Sequence, residues 1–197
     1  MNPQAATLRL AVFPRSGLVT DVLLVLAGTV FVSLAAQVSF DIPGTEVPVT
    51  GQTFAVLLTG ASLGALLGLA SLGLYLFVGA LGAPVYADGR HGWDVLTGPT
   101  GGYIMGFVLA AVVTGWLAQR RWDRHFNSAV AAMLTGSVLV YVVGLPRLAV
   151  VLDLNFTETI DDGLAPFIVG DLLKLYLAAM LLPGAWKLVK HLRGSDR

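Results

Sequence analysis

Six apolar stretches, each close to the length of a bilayer crossing, restrict what this chain can become. They run over residues 18–37, 48–64, 67–83, 101–118, 129–148 and 165–189. A helix rises about 1.5 Å per residue and the hydrocarbon layer is about 30 Å thick, so one crossing takes roughly 17–25 residues. The stretches lack the apolar–polar alternation of barrel strands. Inside hydrocarbon only helices and closed barrels satisfy every backbone group. The expectation is therefore an all-α integral membrane protein, one domain over residues 1–197 with six transmembrane helices. Residues 52–83 are barely enough for two crossings, with a turn drawn from Gly64 to Gly68. Several long runs exclude a lone signal peptide. Only 12% of residues are charged, about half the share of a soluble domain, so no separate soluble domain is expected. A net charge of zero offers nothing to a nucleic acid. Without cysteine there are no disulfides and no thiolate metal sites.

The charges that remain are sorted by side. Six crossings place both termini together. With them fall Arg9, Arg15, Arg120, Arg121, Arg124, Lys187, Lys190, Arg193 and Arg197, nine of the twelve basic residues. The opposite side holds Arg90 and Arg147, together with Asp41, Glu46, Asp88, Asp94, Asp153, Glu158, Asp161 and Asp162. Basic loops stay cytoplasmic, so both termini are expected inside and the connections 38–47, 84–100 and 149–164 outside. Those outer connections are long and rich in turn formers, the usual place for binding residues on a rigid scaffold.

The last basic residue, Lys174, interrupts the sixth stretch together with Asp171. The two are three residues apart and share a helical face. Ions at that depth cost several kcal/mol unless paired or hydrated. Either they form a structural pair that neutralises itself, or they anchor a polar ligand in a cavity open to the outside. Together they offer acceptor oxygens and ammonium donors, which suits a small molecule carrying both N–H and C=O or carboxylate groups.

"PFIVGDLLKLYLAA" (166–179) resembles the sixth-span signature of the BioY family, the biotin-binding S subunits of energy-coupling-factor (ECF) transporters. "VPVTGQTFAVLLTGASLG" (47–64), "GALGAPVYADG" (79–89) and "LTGPTGGYIMGF" (96–107) resemble that family's other motifs in the same order. The resemblance implies a six-helix vitamin-binding subunit of the bacterial inner membrane with an outward pocket. It assigns Asp171 and Lys174 to biotin, and it implies a transmembrane coupling subunit and two ATPase subunits as partners, docked in part on small residues of the first span. Biotin enters as ligand, and no cofactor is implied. Two positions depart from the family pattern: Ala65–Leu66 replace a Pro-Arg pair, and Arg147 stands where an aromatic is expected.

Tyr103 could stack on or hydrogen-bond a bicyclic ligand, or belong to an interfacial aromatic belt. Gln52, at the outer start of the second span, can both donate and accept, while Thr50 suits a helix cap. Gly60, Gly64 and Gly68, and Gly102 with Gly106, have the small-xxx-small spacing of close helix packing. "GASLG" (60–64) matches G-x-S-x-G, which would make Ser62 the nucleophile of an intramembrane serine protease. No histidine lies within a span to serve as its base. The chain has no G-x-x-x-x-G-K-[ST], so energy for uptake has to come from ATPase partners or an ion gradient. The remaining alternatives are an S subunit for another vitamin and a proton-coupled carrier relaying through Asp171.

Overall fold

The structure is a computed structural model that describes residues 7–14 and 17–194. Arg15, Arg197 and the side chain of Arg193 lie outside the described residues. A short α1 (Leu8–Val12) precedes α2 (Leu18–Ala36). A two-stranded antiparallel hairpin follows, β1 (Ser39–Phe40) with β2 (Val49–Thr50), in which Ser39 faces Thr50. Next come α3 (Gln52–Leu63), α4 (Ala65–Ala80), α5 (Trp93–Thr97), α6 (Gly101–Gln119), α7 (Phe126–Leu152), α8 (Phe156–Gly163) and α9 (Ile168–Gly194).

The six expected spans correspond to α2, α3, α4, α6, α7 and α9. By length and hydropathy α2, α6, α7 and the run Phe156–Leu192 can cross a membrane, whereas α3 and α4 are shorter apolar helices. The 12 residues of α3 cover only about 18 Å at 1.5 Å per residue. Its position explains how so short a helix is tolerated. Eight of its residues are buried, against only Gly28, Thr29, Val32 and Ala36 in the 19-residue α2. α3 lies inside a ring of helices and α2 lies outside, presenting Leu18, Val19 and Leu34 outward. A helix surrounded by protein need not match the bilayer's thickness, because its ends are satisfied by neighbours rather than by headgroup water.

Burying apolar surface gains little in lipid, since the tails are as apolar as leucine; close backbone packing has to hold the bundle. The glycine stripe supplies it. A Cβ on Gly60 would lie 2.3 Å from the Ala111 carbonyl oxygen, and one on Gly68 would lie 3.2 Å from the Cα of Gly60. Gly106 meets the Val140 backbone in the same way, at 2.9 Å. These contacts join α3, α4, α6 and α7 within the subunit. Gly64, at φ +89°, is the single residue between α3 and α4, in a conformation that costs an L-residue about 1–3 kcal/mol.

The ends of the helices form two poles. At the acidic pole Gln37 donates to the Tyr86 carbonyl at 3.1 Å and Thr45 to the Asp162 carbonyl at 2.8 Å. At the basic pole Trp186 Nε1 donates to Asp123 at 2.5 Å, and Arg9 pairs with Asp21. Two features exceed the expected spans. α7 continues through Pro146 to Leu152, and the last connection at the acidic pole contains α8, closed by a capping box in which Asn155 and Glu158 each accept from the other's backbone N–H. Asn155 is thus the cap of α8.

Candidate ligand-binding pocket

The two ions of α9 face a pocket near the acidic pole. Lys174 Nζ donates to Asp171 Oδ1 at 3.0 Å, and the two side chains are 18% and 12% exposed. Tyr141 of α7 donates its hydroxyl to Asp171 Oδ2 at 2.5 Å. Each carboxylate oxygen therefore has a donor, which offsets part of the cost of holding the ion at this depth. The pair is neither solvated nor turned to lipid: Asp171, Lys174 and Tyr141 all line the same cavity.

α6 and α3 complete the polar lining. Tyr103 meets Tyr141 edge to face, centroids 6.0 Å apart, and donates its hydroxyl to the Gly163 carbonyl at 2.8 Å. It lines the cavity with its hydroxyl already engaged, tying α6 to the end of α8. Gln52 donates to the Tyr75 hydroxyl at 2.6 Å and accepts from Thr50 at 3.0 Å. Thr50 in turn accepts the Gln52 backbone N–H, but the N-cap of α3 is Gly51, not Thr50. Tyr86 donates to the Leu76 carbonyl at 2.8 Å, and burial pushes its phenol up to about 12, so it stays neutral.

Arg90 brings a second cation to the cavity. It leaves a tight turn that passes through Asp88 at φ +57°, with Tyr86 N–H donating to the Arg90 carbonyl. Its Nε donates to the Ala87 carbonyl at 3.3 Å, and among the described residues it has no ion-pair partner. Between the polar groups the walls are apolar, from Val47 and Pro48 of the hairpin connection, Ile104 and Phe107 of α6, Val140 of α7 and Phe167 before α9. The whole depression measures about 570 Å³.

All four residues expected from sequence, Asp171, Lys174, Tyr103 and Gln52, are brought together here. Tyr141 and Arg90 were not singled out as site residues. For Arg90 there was a signal, since it is one of two basic residues in the acidic connections. For Tyr141 there was none beyond a hydroxyl in an apolar span, because its partner lies 30 positions away. Arg147, the other outer cation, does not line the cavity; it donates to the Thr97 carbonyl and ties α5 to α7. Ser62 opens onto a different groove, lined by Leu24, Ala27, Gly28, Phe31, Leu58, Thr59 and Leu63, with no imidazole or carboxylate. Among the described residues no three His, Cys, Asp or Glu side chains could share a metal ion.

Known proteins resemble this chain in sequence and in fold. The family model described as "BioY family" matches residues 4–191. A protein named biotin transporter BioY from Rhizobium etli is 34% identical over 81% of this chain and 89% of its own length. The biotin transporter BioY of Thermotoga maritima is 36% identical over 80% of this chain and 92% of its own. In fold, the chain resembles a crystal structure of the S-component for biotin from an ECF-type ABC transporter. The TM-score is 0.76 at 23% identity, covering 86% of this chain and 92% of that one. Four ordered motifs, a family match across nearly the whole chain and a shared helical bundle lead to one conclusion: this chain is a member of the BioY family.

Proposed function

We propose that this chain captures biotin at its acidic pole and passes it inward, as the substrate-binding subunit of an ECF transporter. The observation that carries the reading is the Tyr141–Asp171–Lys174 cluster lining a cavity with apolar walls. Biotin's ureido ring presents two N–H donors and one carbonyl. Asp171 accepts an N–H through its remaining lone pairs, and Lys174 donates to the carbonyl. The valerate carboxylate is repelled by Asp171 and drawn to Arg90, which has no ion-pair partner among the described residues. The thiophane ring and the methylene chain lie against Ile104, Phe107, Val140 and Phe167. A ligand without the ureido group would strand buried polar groups, so the site discriminates strongly against it.

The acidic pole is the outer face and six crossings leave both termini in the cytoplasm, because most of the described basic residues gather at the other pole. The bacterial inner membrane is the setting in which that asymmetry and those relatives fit. The chain folds as one domain, the central α3 and α6 joining every other span. Without a phosphate-binding loop it relies on two ATPase subunits and a transmembrane coupling subunit; small residues of α2, Ala27 and Ser33 among them, give that partner a close approach. Equilibrium binding of radiolabelled biotin to the purified chain tests the reading. Stoichiometric binding, displaced by unlabelled biotin and unaffected by a hundredfold excess of other vitamins, is expected. Displacement by another vitamin and not by biotin would assign the pocket to that vitamin.

A further inference from the structure

Among the described residues, α4 gives the ligand cavity none of its wall, yet it stands directly behind two residues that do. Tyr75, Leu76 and Gly79 of α4 fall within little more than one turn. Tyr86, a wall residue, donates its hydroxyl to the Leu76 carbonyl at 2.8 Å. Its ring meets Tyr75 edge to face, centroids 5.4 Å apart, and passes so close to Gly79 that a Cβ there would lie 2.2 Å from it. Gln52, the second wall residue, donates Nε2–H to the Tyr75 hydroxyl at 2.6 Å. Tyr75 is thus fully buried, outside the cavity, and in contact with both.

The bonds around Gln52 run in one direction. Its backbone N–H goes to Thr50 Oγ1, the Thr50 hydroxyl donates to Gln52 Oε1, and Nε2 donates onward to the Tyr75 phenol. Because the Thr50 oxygen already takes an N–H, its proton is what it has left for the amide. That sets the carbonyl end of the side chain toward Thr50 and the NH2 end toward Tyr75. Bonds chained in this way polarise one another. A glutamine tied at both ends has little rotamer freedom left to lose when a ligand arrives. One lone pair on Oε1 and one N–H on Nε2 remain unspent.

The ureido ring has a matching need. Asp171 takes one of its N–H groups and Lys174 serves its carbonyl, so the second N–H still lacks an acceptor. Asp171 apart, Gln52 carries the only side-chain carbonyl oxygen among the described lining residues. We propose that Tyr75 is a positioning residue for the ligand: from behind the wall it holds the Gln52 amide so that Oε1 accepts the second ureido N–H. The inference rests on the biotin reading above and adds to it a residue that the ligand does not touch.

The test is equilibrium binding of radiolabelled biotin to the full chain and to Tyr75→Phe, Gln52→Met and the double variant, each checked for folding by its thermal unfolding midpoint. Phenylalanine keeps the ring against Tyr86 and removes only the hydroxyl. Tyr75→Phe should weaken biotin about three- to tenfold, the cost of ordering a released side chain on binding. Desthiobiotin, which keeps the ureido ring and lacks the thiophane, should weaken by the same factor. On the Gln52→Met background Tyr75→Phe should have no further effect, whereas a residue that merely supports α4 would weaken binding there as much as in the native chain. Should Gln52→Met not fold, Thr50→Val frees the other end of the amide, and its loss should overlap with that of Tyr75→Phe instead of multiplying it. Native affinity in Tyr75→Phe, a loss that spares desthiobiotin, or losses that multiply across the Gln52 or Thr50 pairing would overturn the role of Tyr75. A native chain that binds no biotin would instead fail the ligand reading itself, and this inference with it.

Discussion

α9 holds one end of its buried electrostatics at each pole, and the two solutions differ. Near the acidic pole Asp171 is bonded by Tyr141 and Lys174, remains partly open, and faces a cavity. Near the basic pole Asp123 is 1% exposed and accepts from Trp186, with its Oδ1 unbonded among the described residues. Burial pushes the Asp123 carboxyl up to about 6, although the Trp186 bond and the neighbouring Arg124, whose guanidinium lies 4.3 Å from the Trp186 ring centroid, pull it down. The same functional group is an anchor with an internal counter-ion in one place and a sealed staple in the other. Asp171 has an ammonium at ion-pair distance and a phenol on its other oxygen. Asp123, which joins the α6–α7 turn to α9, is sealed from water and holds its proton more tightly than an ordinary carboxyl because of that burial.

The contrast makes opposite demands on mutants at the two poles. Lys174→Ala is expected to have the largest effect: removing one member of a buried pair costs about 3–5 kcal/mol, so expression yield and biotin binding should both fall sharply. Normal yield with full binding would mean that the pair is neither anchor nor bridge. Asp171→Asn keeps the shape and loses the charged acceptor, so affinity should drop by more than about tenfold by equilibrium dialysis. Wild-type affinity there would remove Asp171 from the site.

The inner carboxylate should leave binding alone and govern stability against pH. With a native value near 6 against an ordinary 3.8, Asp123 in the folded chain holds its proton where the unfolded chain has released it. Its cost to stability is thus absent below about pH 4, grows as pH rises to about 6, and then stays constant at roughly 2–3 kcal/mol. Asp123→Asn should raise the unfolding midpoint at pH 7.5, and the gain should disappear as the pH approaches 4. A gain independent of pH would mean that the native carboxyl is not shifted. The smallest effect is expected from Tyr141→Phe, which leaves Lys174 on the carboxylate. One lost hydrogen bond to an ion is worth about 1.5–3 kcal/mol at most, so affinity should weaken less than in Asp171→Asn; an equal loss would move the anchor from the ion pair to the phenol.

The sequence reveals these features unevenly, for physical reasons. Apolar runs declare spans because hydrocarbon admits little else. Asp171 and Lys174 stand out because an ion in such a run demands an explanation. The glycine stripe was readable as close packing, and the structure shows it inside the subunit, at Ala111 and Val140. Tyr141 was not readable, because a hydroxyl inside a span acquires meaning only when another helix brings its acceptor alongside. The expected 129–148 span already contained Pro146, and α7 runs on beyond it to Leu152. Pro146 removes one helical hydrogen bond, which in water would mark a helix end, yet a membrane helix continues through it when neighbours support the turn. α8 could have been found, since N-x-x-E at 155–158 is a capping signature, but its short, acidic segment reads first as a loop.

The Gly64 joint carries a mechanical consequence. One residue at φ +89° separates α3 from α4, and a Cβ there would lie 3.2 Å from Thr7 and 3.3 Å from Gln119. A hinge that short has no slack. Any tilt of α3 must therefore carry α4 with it, against Thr7 and Gln119 packed beside the joint, so that the two short helices move as a rigid crank and not as a cushioned strap.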